Sequence, residues 1–210
     1  MKYKVMIVED QTMPRELFEL RIQASEHFEV ALSIDNAALA DVYCLRFPVD
    51  LILMDVVTRN GESGLDAAER IKRTFPQIRI IIVTSMPECS YLSRAREIGV
   101  ESFWYKEEQR ESLLDVMERT MNGESVYPGA SPELTLGMAS SYQFTERELD
   151  ILREITSGDT NQEIADRLNM SVATVKTHIL NMLEKTGFRN RTELAVRARE
   201  NGLVILNRRN

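Results

Sequence analysis

The chain has 210 residues, 43% hydrophobic and 28% charged, with a formal net charge of −7. That composition excludes wholesale disorder and collagen-like or coiled-coil repeats, and no apolar run approaches the roughly 18 residues that a membrane span needs. The charge is uneven: residues 1–123 carry 15 basic and 21 acidic side chains, whereas residues 165–210 carry 9 basic and 4 acidic, a local +5.

Met1-Lys2-Tyr3-Lys4 runs directly into the aliphatic stretch Val5 to Val8, which is not the pattern of a secretory leader. Cys44 and Cys89 have no neighbour at metal-binding or framework spacing. A reducing cytoplasm is the expected location, with no membrane association. From residue 3 to residue 123, short aliphatic runs (3–8, 28–32, 51–54, 80–83, 102–105) alternate with stretches at helical spacing. Examples of the latter are Leu17, Leu20 and Ile22, or Leu65, Ala68 and Ile71. Strands apolar on both faces and separated by amphipathic helices predict a doubly wound α/β domain with a five-stranded parallel sheet and five helices.

Residues 124–142 hold Pro128, Gly129, Pro132, Gly137 and several serines. They read as a linker in which Pro132-Glu133-Leu134 can start a short helix. From 143 to 210 no strand pattern occurs. Capping boxes at Thr145/Glu148, Thr160/Glu163 and Asn190/Glu193, with a further start at Ser171, predict four short helices in an all-α domain. The apolar tail Leu203-Val204-Ile205-Leu206 either closes the helical core or joins a dimer contact.

In an open parallel sheet, ligands bind at the carboxyl ends of the strands. The residues leaving those ends are Glu9 and Asp10, then Asp55, then Thr84 and Ser85, and finally Lys106. Three carboxylates at one edge repel one another unless a cation sits among them, and hard oxygen ligands suit Mg²⁺. A carboxylate beside a metal can also serve as a nucleophile toward phosphorus, with Thr84 and Lys106 supplying a hydrogen bond and a positive charge to the phosphoryl oxygens.

On these residues, 1–123 resembles the receiver domain of two-component response regulators, a flavodoxin-like fold. The resemblance implies that Glu9 and Asp10 are the metal-binding acidic pair and that Asp55 is the phosphoacceptor and a metal ligand. Val57 is implied to lend its backbone carbonyl to the metal. Thr84 is the implied switch hydroxyl, Lys106 the phosphate-binding lysine, and Phe103 the aromatic switch, a residue equally readable as core. The implied donor is a histidine kinase. The loop after Asp55 is one residue longer than usual and lacks the family's common proline, and Glu107 follows Lys106 where many receivers have a cis-proline.

Further along, Val172, Val175, Ile179 and Met182 mark the buried face of a helix, leaving Ala173, Lys176, Thr177, Leu180 and Glu184 on the opposite stripe. A helix presenting a small residue, a lysine and a threonine near its start fits the recognition helix of a helix-turn-helix. Lys185, Arg189, Arg191, Arg197 and Arg199 suit phosphate contacts. The marks Thr145-Glu146-Arg147-Glu148, Gly158, Glu163-Ile164-Ala165, Thr174-Val175-Lys176, His178 and Arg191-Thr192-Glu193 make residues 143–203 similar to the LuxR-type helix-turn-helix domain. A receiver joined to such a domain defines the NarL/FixJ class. The resemblance implies contacts to double-stranded DNA from Ala173, Thr174, Lys176, Thr177 and Lys185, with His178 and Asn181 near the backbone; His178 reads equally well as a packed helix residue. Leu180 departs from the polar residue usual there and either touches a thymine methyl or weakens binding. The last helix is implied to pair in a homodimer formed on activation, through Val196 and Arg199.

The expected function is therefore a response regulator in which transfer to Asp55 with Mg²⁺ switches dimerisation and DNA binding to control transcription. The alternative is a receiver-containing regulator that acts mainly through protein or RNA contacts. An enzyme acting on a separate substrate is disfavoured, because aspartyl phosphatases usually carry a second carboxylate two residues on, where Val57 stands. The only catalysis expected is the receiver's own phosphorylation and dephosphorylation.

Overall fold

The computed structural model describes residues 2–86, 89–106 and 112–204. Glu107, Ile205, Leu206 and the side chain of Cys89 lie outside that description. The chain divides into two compact units, one of Met1–Ser85 with Tyr91–Gly129, the other mainly Ala130–Asn210.

The first unit starts with β1 (Tyr3–Val8), α1 (Thr12–Gln23), β2 (Phe28–Ile34), α2 (Ala40–Arg46) and β3 (Leu51–Asp55). A hairpin of β4 (Val57–Thr58) and β5 (Glu62–Ser63) follows, then α3 (Gly64–Thr74), β6 (Arg79–Thr84), α4 (Cys89–Ile98), β7 (Ser102–Tyr105) and α5 (Leu113–Met121). The main sheet has the order β2-β1-β3-β6-β7 with every neighbour parallel. Alternation along the strands serves two cores. Met6, Val8, Ile52, Met54, Ile80 and Ile82 face Leu65, Ala68, Ile71, Leu92 and Ala95. Val5, Ile7, Leu51, Leu53, Ile81 and Val83 face Phe18, Ile22, Leu113, Val116 and Met117. Burial on both faces is why these strands are continuously aliphatic.

Three local features depart from the sequence expectation. In α1 the buried pair is Phe18 and Ile22, four residues apart, while Leu17 and Leu20 lie outside with Met13. The loop after Asp55 is a hairpin in which Asn60 and Gly61 both take positive φ, which an Asn-Gly pair tolerates with little strain. The stretch 124–142 is anchored at both ends. Val126 and Tyr127 pack with the first unit, and no helix starts at Pro132. Instead β8 (Thr135–Leu136) and β9 (Ala139–Ser140) form a short hairpin, with Leu136 and Ala139 buried in the second core. Gly137, at φ 62°, makes the turn.

The second unit holds α6 (Glu146–Thr156), α7 (Asn161–Arg167), α8 (Val172–Thr186) and α9 (Arg191–Glu200). Thr145 and Thr160 form reciprocal capping boxes with Glu148 and Glu163. Asn190 caps the amide of Glu193, but the Glu193 carboxylate accepts from Arg189 rather than from Asn190. Ser171 caps α8 through Thr174, and Gly187 ends it at φ 74°. Leu203 and Val204 are buried in the helical core, so the described part of the apolar tail closes that core.

Candidate functional site

The order β2-β1-β3-β6-β7 reverses direction between β1 and β3, and that switch point is where open α/β sheets bind ligands. Glu9 and Asp10 follow β1, and Asp55 ends β3. Their carboxylate oxygens lie within 4.8 Å of one another, with Glu9 0% and Asp55 5% exposed. Lys106, just beyond β7, reaches back across the sheet edge with Nζ 2.5 Å from Glu9 Oε2 and 2.8 Å from Asp55 Oδ2. The Val56 amide donates to Asp55 Oδ1 at 2.7 Å, and the Gln11 amide to Glu9 Oε1 at 3.1 Å.

Burial is the main influence on Asp55 and pushes its carboxyl up to about 7; Lys106 opposes this and the Glu9 carboxylate adds to it. For Lys106, burial disfavours the ammonium, but Asp55 and Glu9 outweigh it and hold the group above its usual range. One ammonium among three carboxylates leaves two negative charges uncompensated when all are ionised. The donor set is all oxygen, compact and under-neutralised, which fits a hard divalent cation.

Thr84 ends β6, is fully buried, and accepts the Lys106 amide on its carbonyl at 2.9 Å, tying the lysine to the end of the central strands. Ser85 is exposed, and Val57 is half-buried at the start of β4. Phe103 lies in β7 at 2% exposure, with ring centroids 5.0 Å from Tyr105 and 6.3 Å from Tyr127.

Three residues that the sequence reading passed over support this site. A Cβ on Gly64 would overlap the Asp55 carbonyl oxygen, because α3 starts directly against the backbone of Asp55; the Gly64 amide donates to Val56 O at 2.8 Å. Arg15 donates from Nη1 to the Glu9 carbonyl at 2.9 Å and steadies the acidic turn. Buried Thr58 accepts from the Ala37 amide at 2.9 Å and donates to the Glu62 carbonyl at 3.2 Å, fastening the β4–β5 hairpin. The signal for Gly64 is a small residue opening α3; the other two act through backbone groups and leave no sequence signal.

In the second unit, α7 and α8 form a helix-turn-helix. Val175, Ile179 and Met182 are buried; Ala173, Thr174, Lys176, Thr177, Leu180 and Asn181 are exposed along one stripe; Val172 and His178 are half-buried. Thr177 donates its hydroxyl to the Ala173 carbonyl at 3.0 Å, and Thr174 pairs with the Ser171 hydroxyl. Lys185 is differently placed. Its ammonium touches both oxygens of buried Glu148, at 2.8 and 2.7 Å, and the Gln143 carbonyl at 2.8 Å, so it neutralises a core carboxylate. On α9, Val196 and Arg199 are exposed, and Val196 lines an open surface depression with Arg189, Thr192, Glu193 and Arg197.

A doubly wound sheet with a buried carboxylate–lysine cluster at its switch point thus shares its chain with a helix-turn-helix. A family model described as "Response regulator receiver domain" matches residues 5–118, and one described as "Bacterial regulatory proteins, luxR family" matches residues 142–198. The chain is 32% identical over 212 residues to the response regulator protein VraR of Staphylococcus aureus and of Staphylococcus epidermidis, covering 97% of this chain and 100% of each relative. Among solved structures it is similar to RcsB from Salmonella enterica serovar Typhimurium bound to promoter rprA, with TM-score 0.60, 20% identity, and 93% and 98% of the two chains covered. The response regulator ChrA of a heme-sensing two-component system is a second, with TM-score 0.52, 20% identity, and 97% and 99% covered. The chain belongs to the two-component response regulators with a LuxR-type DNA-binding domain, the class that regulates transcription. No helix among the described residues is long and apolar enough to cross a membrane.

Proposed function

We propose that Asp55 accepts a phosphoryl group from the phosphohistidine of a cognate histidine kinase, and that this switches homodimerisation and sequence-specific binding to double-stranded DNA. The carrying observation is the cluster of three carboxylates and one buried ammonium at the switch point of a sheet that shares its chain with a helix-turn-helix.

Glu9, Asp10 and Asp55, with the Val57 carbonyl, would hold Mg²⁺, which when bound neutralises charge on the phosphoryl oxygens. Val56 fixes the Asp55 carboxylate plane through Oδ1, leaving Oδ2 to attack phosphorus. An O–P bond forms, the P–N bond to the kinase imidazole breaks, and the imidazole leaves with a proton. Lys106 then exchanges Asp55 Oδ2 for a phosphoryl oxygen, and the Thr84 hydroxyl donates to another. Phe103 follows Thr84 as the switch aromatic. The receiver catalyses only its own phosphorylation and dephosphorylation, in the cytoplasm. Ala173, Lys176 and Thr177 read bases in the major groove; Thr174, His178 and Asn181 lie at the backbone; α9 pairs through Val196 and Arg199. Lys185 acts by holding Glu148 and so the stance of α8.

Beryllofluoride with Mg²⁺ should convert the wild type to a dimer with raised promoter affinity and leave Asp55→Asn unchanged. Equal behaviour of both proteins sinks the switch. A second reading, output through protein or RNA contacts, is favoured by Leu180, 59% exposed in the middle of the recognition stripe. Unaltered duplex affinity in Lys176→Ala would select it.

A further inference from the structure

The edge strand β7 is covered by the start of the linker. The Phe103 amide faces away from the sheet and donates to the Val126 carbonyl at 2.8 Å, and the Val126 amide donates to Ser102 Oγ at 3.1 Å. Ser102 is in turn bonded to Thr120 of α5 at 2.7 Å. Tyr127 folds over the strand. Its hydroxyl donates to the Val100 carbonyl at 2.8 Å, its ring sits 6.3 Å from the ring of Phe103, and the Arg96 guanidinium of α4 lies 4.7 Å above its centroid. Burial, only partly offset by Arg96, pushes the phenol up to about 12, so it remains a donor throughout the physiological range.

An unpaired strand edge is a ready acceptor of any extended segment, and this one is occupied by the residues through which the chain leaves the first unit. The residue bonded to that segment through its backbone, and packed against it through a tilted ring, is Phe103. We propose that Tyr127 is a clasp holding the linker on β7, and that the ring of Phe103 opens it when it swings toward Thr84. This rests on the reading of Asp55 as phosphoacceptor with Thr84 and Phe103 as its switch. A ring that moves toward Thr84 withdraws from Tyr127, and the hydroxyl bond and the arginine contact then hold the tyrosine without its apolar seat. Opening frees residues 124–127, adding roughly 13 Å of extended chain to the tether between the units. Such a lengthening lets two helical units reach a pair of half-sites. No hydrogen bond or ion pair among the described residues joins the clasp to the acidic cluster, so its effect on that cluster is coupling through Phe103.

The test is amide hydrogen exchange at Phe103 and Val126 in the full-length protein, with and without beryllofluoride plus Mg²⁺, using Asp55→Asn as control. Exchange at both amides should accelerate about tenfold on activation in the wild type only. Tyr127→Ala should exchange at the accelerated rate without activation and, because coupling is reciprocal, bind beryllofluoride about tenfold more tightly. Tyr127→Phe keeps the ring and loses one hydrogen bond, and should show about a threefold effect in both measurements; it replaces the alanine variant if that fails to fold. Asp55-dependent binding of beryllofluoride with no change at Phe103 overturns the clasp alone. Variants that speed exchange but leave beryllofluoride affinity unchanged also overturn it. Absence of Asp55-dependent binding in the wild type overturns the phosphoacceptor reading and takes the trigger of the clasp with it.

Discussion

Gly64 shows how narrowly Asp55, the proposed phosphoacceptor, is framed. Any Cβ there meets the Asp55 carbonyl oxygen, a backbone atom of a central strand that cannot move aside cheaply. Gly64→Ala should lose about 1–3 kcal/mol of stability from overpacking. It should also slow phosphoryl uptake on the order of tenfold to a hundredfold, because a small displacement of the nucleophile is amplified in the rate. Denaturant midpoints and acetyl phosphate labelling separate the two effects, and a stable variant with wild-type labelling contradicts the assignment. Glu148 is the corresponding single residue in the helical unit. Burial raises its carboxyl, but hydrogen bonds from Lys185 and the Thr145 amide outweigh burial and leave it below its ordinary 4.5. A folded value below the unfolded one contributes stability that is present above about pH 4.5 and lost as pH falls through the folded value. Glu148→Gln should therefore cost about 1–3 kcal/mol near pH 7, and the gap should shrink as acidification takes the wild-type carboxylate through its lowered folded value. A gap that stays the same size throughout acidification would mean that packing, not charge, is what the substitution removes.

At the scale of elements, the β4–β5 hairpin is held on its inner side by one hydroxyl. Thr58 is 2% exposed and satisfies both the Ala37 amide and the Glu62 carbonyl. Thr58→Val keeps the shape and strands both groups, and should cost about 1–3 kcal/mol, while Thr58→Ser should cost less. Urea unfolding checks this, and a neutral valine variant refutes it. That hairpin was also where the sequence was least informative. The five main strands were legible because aliphatic runs buried on both faces cannot be taken for loops, and the acidic edge was legible because a parallel sheet delivers its strand ends to one place. Two-residue strands carry no periodicity, so β4–β5 and β8–β9 left no trace beyond their turn residues. Pro132 suggested a helix start because local capping logic does not register that Leu136 and Ala139 are drawn into a distant core. In α1 the spacing of leucines misled: Leu17 and Leu20 turn outward, and the aromatic Phe18, paired with Ile22, takes the sheet-facing side. Gly64, Arg15 and Thr58 were invisible for a common reason, since each acts on a backbone group and backbone positions are set by the whole fold.

Over the whole molecule, a net charge of −7 is a poor guide to the partner, because screening restricts each charge to about 8 Å at physiological salt. What matters is which cations of the helical unit remain uncompensated. Arg167 is held by Glu154 and Asp159, Arg197 by Glu200, and Lys185 by Glu148. Arg191 is bonded to the neutral oxygens of Asn161 and the Asp159 carbonyl. Among the described residues from 165 onward, Lys176, Arg189, Arg191 and Arg199 are thus the cations without a carboxylate partner. Cations that displace counterions from DNA set the slope of log affinity against log salt concentration, at about 0.9 per phosphate neutralised. Arg189→Ala, at a cation suited to a phosphate contact, should therefore flatten that slope by roughly 1 for each protomer bound, about 2 for a dimer. Lys185→Ala should leave the slope unchanged, because its charge is already spent on Glu148, yet lower the stability of the helical unit and weaken binding by the same factor at every salt concentration. Titrating an operator duplex at several salt concentrations distinguishes Arg189 from Lys185. Equal flattening by both substitutions would mean that Lys185 leaves Glu148 for a phosphate when DNA binds, and that the charge reaching the duplex is set by exchange between internal and external partners.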